Sequence, residues 1–150
     1  MIFRGTFEHS LDAKNRLTVP AKFRAGLAGR LVLAITPPTA ESSARSLSIW
    51  PAEAFDEFAE SALKSLHPLS PRAEALRNAL YANSWDVELD AANRLMVPQP
   101  ARDFAGLDKD AVITGAGSSL QVWDREAYAA HNAGILARFP EIAASFDHTD

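Results

Sequence analysis

The sequence predicts an α+β fold: two duplicated β-hairpin modules intertwined into a double-split, β-barrel-like body with flanking helices. Three observations carry that expectation. The ten residues Leu11-Asp-Ala-Lys-Asn-Arg-Leu-Thr-Val-Pro20 return as Leu89-Asp-Ala-Ala-Asn-Arg-Leu-Met-Val-Pro98, identical at eight of ten positions with a constant shift of 78. A repeat of this kind defines the structural unit and has to be read before the fold. Around each copy, apolar residues alternate with polar ones: Phe7, Leu11, Leu17 and Val19, then Val87, Leu89, Leu95 and Val97. Finally, a unit of about 45 residues buries too little surface to stand alone, so each copy must share a core with a partner copy, in the same chain or in another.

The elements follow in order. Period-two alternation on both sides of Ala-Lys-Asn and of Ala-Ala-Asn predicts a β-hairpin in each copy. Asn15 and Asn93 suit a turn position with positive φ, which asparagine tolerates better than most residues. Pro20 and Pro98 end the returning strands because proline has no N–H for the ladder. A short glycine-bearing linker comes next (Ala25-Gly26-Leu27 and Ala105-Gly106-Leu107), with two extra residues in the second copy. A third strand is predicted at Leu31–Ile35 and Ala111–Thr114, and a fourth at Leu47–Trp50 and Leu120–Trp123. The loop from Thr36 to Arg45 is long, polar and expected to be mobile; its counterpart, Gly115 to Ser119, is short and glycine-rich.

Helices close each copy. Phe55, Phe58, Ala59, Ala62, Leu63 and Leu66 recur at helical spacing after Pro51, and Asp124 is placed to cap a helix carrying Ala127, Tyr128 and His131. Ser70-Pro71 opens a connecting helix through about Tyr81. The matched positions of Trp50 and Trp123, each ending an apolar strand, predict core packing rather than base stacking. From about Glu141 to Asp150 the periodicity is weak and a disordered tail is expected.

Composition bounds the partners. The net charge of −4 argues against a general affinity for polyanions, but residues 1–30 hold six cations and two anions, +4, leaving −8 for the remainder. A local basic patch on an acidic body is compatible with binding a polyanion, since the field at the contact surface decides. The chain has no cysteine, which rules out disulfides and thiolate metal sites. The start, Met1-Ile-Phe-Arg-Gly-Thr, lacks a basic segment followed by an apolar one, so a cytoplasmic location is expected.

The repeated chemistry is Asp12-x-x-x-Arg16 and Asp90-x-x-x-Arg94. An aspartate at a strand end accepts bonds from turn N–H groups, making Asp12, Asn15, Asp90 and Asn93 the turn-structuring set. The arginine that follows carries a planar guanidinium able to grip phosphate or a guanine edge in bidentate fashion. Spacing alone leaves a second reading open, in which each Asp–Arg pair merely closes its own hairpin as a weak surface ion pair.

Arg4-Gly5, the run His9-Ser-Leu-Asp-Ala-Lys-Asn-Arg-Leu-Thr-Val-Pro-Ala-Lys-Phe-Arg24, and Val87-Glu-Leu-Asp with Asn-Arg-Leu and Val-Pro98 resemble the MraZ family, up to about Tyr128. That bacterial family is built from two SpoVT-AbrB (swapped-hairpin) modules. The resemblance implies modules at 6–53 and 84–127, a helical connector at 54–83, and a helix end and tail at 128–150. It implies a DNA-binding transcriptional regulator of the division and cell-wall gene cluster, acting on repeated short boxes upstream of its own operon. It further implies association with the nucleoid and assembly into homo-oligomeric rings, without a membrane. Arg16 and Arg94 match the family's DNA-facing arginines, and Lys14, Lys22 and Arg24 match its flanking basic positions. Two departures stand out. Asn15 and Asn93 replace a common glycine, which leaves the turn feasible. Ala92 stands opposite Lys14, and Gln99-Pro100 opposite Ala21-Lys22, so the second module should bind less strongly.

No catalytic, cofactor or metal site is expected. His9 is replaced by Val87 in the second copy, and His67, His131 and His148 are scattered without ligand spacing. Asp12, Asp90 and Glu88 have no linked nucleophile or base. The rival to a DNA binder is a scaffold or protein-interaction ring that keeps the hairpins for assembly alone.

Overall fold

A computed structural model describes residues 1–37 and 43–145. Its strands are β1 (Thr6–Ser10), β2 (Arg16–Thr18), β3 (Leu31–Ile35), β4 (Leu47–Pro51), β5 (Ser84–Val87), β6 (Arg94–Met96), β7 (Asp110–Gly115) and β8 (Leu120–Asp124). The helices are α1 (Ala52–Leu63), α2 (Pro71–Arg77), α3 (Gln99–Ala105), α4 (Arg125–Ala137) and α5 (Phe139–Ala144).

Six strands form one antiparallel sheet in the order β1-β7-β8-β4-β3-β5, while β2 and β6 make a separate two-stranded ribbon. The large sheet reads the same from both ends once each strand is exchanged for its counterpart, β1 for β5, β3 for β7 and β4 for β8. The copies are therefore related by a pseudo-twofold at the β4–β8 seam, and each gives its first strand to the other: β1 lies on β7, and β5 lies on β3.

That exchange corrects two expectations. Alternation predicts that the strands flanking each turn pair as a hairpin, but β1 and β2 share only the bridge Leu11↔Leu17 before diverging. Periodicity fixes which face of a strand is buried and says nothing of which neighbour satisfies its backbone. Nor do the strands close into a barrel. The large sheet ends at β1 and β5, and three-residue β2 and β6, stopped by Pro20 and Pro98, are used up in pairing with each other.

The main core lies between sheet and ribbon. Leu31, Leu33, Leu47, Ile49, Ala111, Ile113, Leu120 and Val122 point to one side of the sheet, where Leu17, Val19, Leu95 and Val97 meet them. On the opposite side, Val32 and Ala34 pack with Phe55, Ala59 and Leu80. Burial on both faces explains why residues 31–35 read as an unbroken apolar run.

The linkers after Pro20 and Pro98 are helical: residues Ala21–Leu27 form a 3-10 helix that buries Phe23 and Leu27, and α3 buries Ala101 and Ala105. Gly106 ends α3 at φ 65°, the left-handed position that glycine occupies without strain. At the other end of the sheet, a Cβ on Gly115 would strike the Arg4 backbone, because residues 3–5 lie directly on the β7–β8 turn.

The predicted caps are present. Ser70 accepts from the Ala73 N–H at 3.1 Å, and Asp124 from the Ala127 N–H at 3.1 Å. The connecting helix continues beyond α2 as a π turn over Asn78–Ala82. The tail differs from expectation, since α5 carries helix through Ala144; Pro140 sits in its first turn, where a missing N–H is harmless. Residues 146–150, and residues 38–42 of the loop expected to be mobile, lie outside the described residues.

The two tryptophans pack as a pair of equivalents. Trp50 stacks on Phe58 at 4.9 Å between centroids and 29°, and Trp123 stacks on His131 at 4.6 Å and 27°. One module thus has a titratable ring where the other has phenylalanine. Burial pushes the His131 imidazolium below its ordinary 6.5. A histidine depressed on folding contributes stability that is complete above 6.5 and lost as pH falls from there through the folded value.

Two outcomes are expected. Leu17→Ala, at a fully buried position, should lower unfolding free energy by about 2–5 kcal/mol in urea titrations. His131→Phe should narrow the gap between thermal midpoints at pH 8 and pH 5; an unchanged gap would remove His131 as its source.

Candidate nucleic-acid interface

Each turn is organised by one aspartate. Asp12 Oδ1 accepts the backbone N–H groups of Lys14 and Arg16, both at 2.9 Å, and Oδ2 accepts Arg16 Nε at 2.7 Å. Asp90 repeats the arrangement with Ala92 N–H, Arg94 N–H and Arg94 Nε, all at 2.9 Å. The main chain closes each loop as Asn15 N–H donates to Asp12 O at 2.9 Å and Asn93 N–H to Asp90 O at 3.0 Å. Asn15 and Asn93 take φ of 59° and 62°, the left-handed region anticipated for them.

These bonds hold both carboxyls below the ordinary 3.8. The chief cause is the backbone N–H of the arginine; partial burial opposes it, and the guanidinium and the second turn N–H reinforce it. The ion-pair reading of the sequence is thus realised: both salt bridges exist. Each engages the arginine through Nε, with 27% and 34% of the Arg16 and Arg94 side chains exposed. Their Nη groups make no hydrogen bond to another described residue and remain for an outside acceptor. A carboxylate that aims a guanidinium and an arginine that contacts a ligand are compatible roles.

The ribbon brings the turns together. Arg16 lies opposite Met96, Leu17 opposite Leu95, and Thr18 opposite Arg94. Val19 N–H donates to Asn93 O at 2.8 Å, and Val97 N–H to Asn15 O at 3.0 Å, so each turn caps the other copy's strand. With both leucines facing the core, alternation directs Arg16, Thr18, Arg94 and Met96 to the other face.

The three flanking cations have different surroundings. Lys14 is exposed in its turn with no ion pair among the described residues. Lys22 Nζ sits 4.5 Å over the Phe7 ring and 5.1 Å from that of Phe23, a cation–π contact that draws it toward β1. Arg24 crosses to the second turn, where Nη1 donates to Asn93 Oδ1 and, at 3.3 Å, to Asp90 O. Its counterpart, Arg102, does not cross; its Nε bonds Val97 O at 3.0 Å. The bridging role of Arg24 had no signal in the sequence. Thr18 and Met96 are one of the two mismatched pairs in the repeat and lie on the same strand face as the arginines.

Among the described residues, no group of three His, Asp or Glu is placed to hold a metal ion. No helix there is long and apolar enough to cross a membrane. Among the described residues, one hollow of about 570 Å³ lies beside Arg45, Phe104 and His131, and one of about 700 Å³ beside Glu57, Leu63 and Leu66.

Fold and site together define a two-copy, strand-exchanged α+β protein that presents matched arginine turns on one ribbon. The profile of a family described as “MraZ protein, putative antitoxin-like” matches residues 2–76 and again 80–146. The Transcriptional regulator MraZ of Nitrosomonas europaea is 36% identical over 127 residues, covering 82% of this chain and 81% of that protein. Those of Thermomicrobium roseum (33% identity, 95% of each chain) and Nitrosospira multiformis (36%, 91% of this chain and 90% of that one) bear the same name. The chain belongs to the MraZ family.

Asp12→Asn keeps an acceptor for the turn but sets an amide against Arg16 Nε. It should lower the urea midpoint at pH 7, and Asp12→Asn with Asp90→Asn should lower it further. Because the folded-state values are depressed, the contribution is full above 3.8 and fades as pH falls through the folded value. Variant and wild type should therefore converge in strong acid; a constant difference would show that the charge is irrelevant.

Proposed function

We propose that this chain is a transcriptional regulator that binds duplex DNA through the outward face of the β2–β6 ribbon. Arg16 and Arg94 enter the major groove, which admits a two-stranded ribbon. Lys14 grips phosphate beside the first of them. The observation that carries this reading is the twinned turn: two guanidiniums, each fixed through Nε by its own aspartate, stand on one face with their remaining donors uncommitted among the described residues. The names of the relatives support regulation of transcription, and the +4 charge of residues 1–30 supplies attraction on the side that carries Lys14. Lys22 and Arg24 add to the same field, with Arg24 also holding the second turn for Arg94.

The modules at 6–53 and 84–127, joined by the connector 54–83 and followed by 128–150, act as one DNA-reading unit. Two arginines give modest affinity, so several chains cooperate on repeated short boxes upstream of the chain's own operon, in the division and cell-wall gene cluster. Such avidity adds roughly 10²–10⁴ without new contacts, and boxes about one helical turn apart place successive units on one side of the duplex. Association into a nucleoid-bound homo-oligomeric ring is supported by Leu136 and Phe139, each 58% exposed, and by α4, whose side chains are at most half-buried within the chain.

A mobility-shift titration on the chain's own upstream duplex, at two salt concentrations, tests the reading. Affinity should fall steeply with salt, the log–log slope growing by about 0.9 for each phosphate neutralised. Arg16→Ala should weaken binding with thermal unfolding nearly unchanged, and Arg94→Ala should reduce the salt slope no more than Arg16→Ala. Equal loss of binding and stability would return both arginines to a purely structural role. No shift of the duplex even in dilute buffer would favour the scaffold ring.

A further inference from the structure

The outward face of the ribbon departs from its own twofold symmetry at one pair of positions. Rotation about the Leu17–Leu95 pair places Arg16 on Arg94, and it places Thr18 on Met96. Each arginine therefore has a different neighbour directly across the ribbon: Met96 beside Arg16, Thr18 beside Arg94. Met96 is 60% exposed, and Thr18 is exposed as well. An unbranched thioether left in water opposite Arg16 contributes nothing to the core formed by Leu17 and Leu95 beneath it.

We propose that Met96 is a specificity-determining residue: it reads the 5-methyl group of a thymine next to the base contacted by Arg16, and its difference from Thr18 gives the DNA site its direction. This inference rests on the DNA reading above. Directly opposed residues of an antiparallel pair have Cβ atoms about 4.5–5.5 Å apart, so the two side chains fall within one or two base steps. In the major groove a guanidinium selects guanine by its O6 and N7, and an apolar side chain selects thymine by its methyl group. Threonine has a methyl that can also meet thymine, but its hydroxyl donates or accepts with any base, so it discriminates less than a purely apolar side chain. The half-site under Arg16 and Met96 is therefore guanine beside thymine, and the half-site under Arg94 and Thr18 is guanine beside a less restricted base. The other asymmetries at this surface, Lys14 against Ala92, Lys22 against Pro100 and the one-sided reach of Arg24, act on phosphates or on the turn itself, and phosphates carry no sequence information directly. The polarity of the word thus falls to residues 18 and 96.

The test uses the full chain and duplexes selected from a randomised pool. Wild type should select a non-palindromic site, and Met96→Thr, which makes the outward face Arg-Thr on both strands, should select a site closer to a palindrome. Within the wild-type site, replacing one particular thymine by uracil removes only the methyl group and should weaken binding about fourfold, the worth of one buried methyl-sized group. Met96→Ser should bind thymine and uracil duplexes alike. Both variants should melt with wild type, since the side chain is solvent-exposed. If wild type binds a selected duplex but no uracil effect depends on residue 96, or Met96→Thr selects the unchanged site, the inference is overturned while the DNA reading stands. A change confined to oligomeric state would likewise overturn it and assign Met96 to a contact between chains. Failure of wild type to enrich any duplex would overturn the DNA reading and this inference with it.

Discussion

The antiparallel pairing of β2 with β6 is the constraint on which the rest depends. It is only three residues long on each side, yet it joins the two copies at the place where their sequences agree best. Its inward leucines bury one against the other over the sheet, and its outward positions then have no choice but to present the arginines together. A ribbon this short would not persist alone in water. It persists because Leu17 and Leu95 belong to the core cluster shared by both copies, so the spacing of the two arginine turns is set by hydrophobic burial and not by the turns themselves.

Exchange of the first strands makes that burial collective. With β1 on β7 and β5 on β3, neither copy completes its part of the sheet without the other. A loss in one half is therefore transmitted to the second, as expected of a repeat too small to fold independently. The aspartates perform a more local task. By accepting two backbone N–H groups on one oxygen and Nε on the other, each fixes the loop and the guanidinium plane at once, so less side-chain freedom would be lost on the proposed binding of DNA.

Much of this was legible in the sequence because the repeat is explicit and the local chemistry is short-range. Asn15 and Asn93 announced a left-handed turn, Ser70 and Asp124 announced caps, and the aspartates announced the N–H groups they accept. What could not be read was long-range choice of partner. Phe7 and Leu17 alternate correctly for a hairpin, and the same alternation serves equally well when β1 and β2 go to different sheets. The helical linkers were hidden by length, since Phe23 with Leu27 and Ala101 with Ala105 give one i,i+4 pair each, too little periodicity to distinguish from a loop. Arg24 was recognised as a cation near the site, but its reach to Asn93 depends on the folded separation of residues 69 apart in the chain.

The differences between the copies follow a physical division. Positions that hold the shared scaffold agree: the aspartates, the positive-φ asparagines, the inward leucines and the prolines that stop the ribbon. Around them three solvent-facing positions have diverged, while the paired arginines are kept: Lys14 against Ala92, Thr18 against Met96, and Lys22 against Pro100. Arg24 and Arg102 show an intermediate case in which the residue is kept and its partner changed, so that the first copy braces the turn of the second without the reverse. A symmetric frame with an asymmetric outer face suits a ligand that is itself nearly repetitive but has a direction. On the proposed DNA reading, the backbone geometry would supply two equivalent grips, and the side chains that differ between them would decide which end of the duplex each grip prefers.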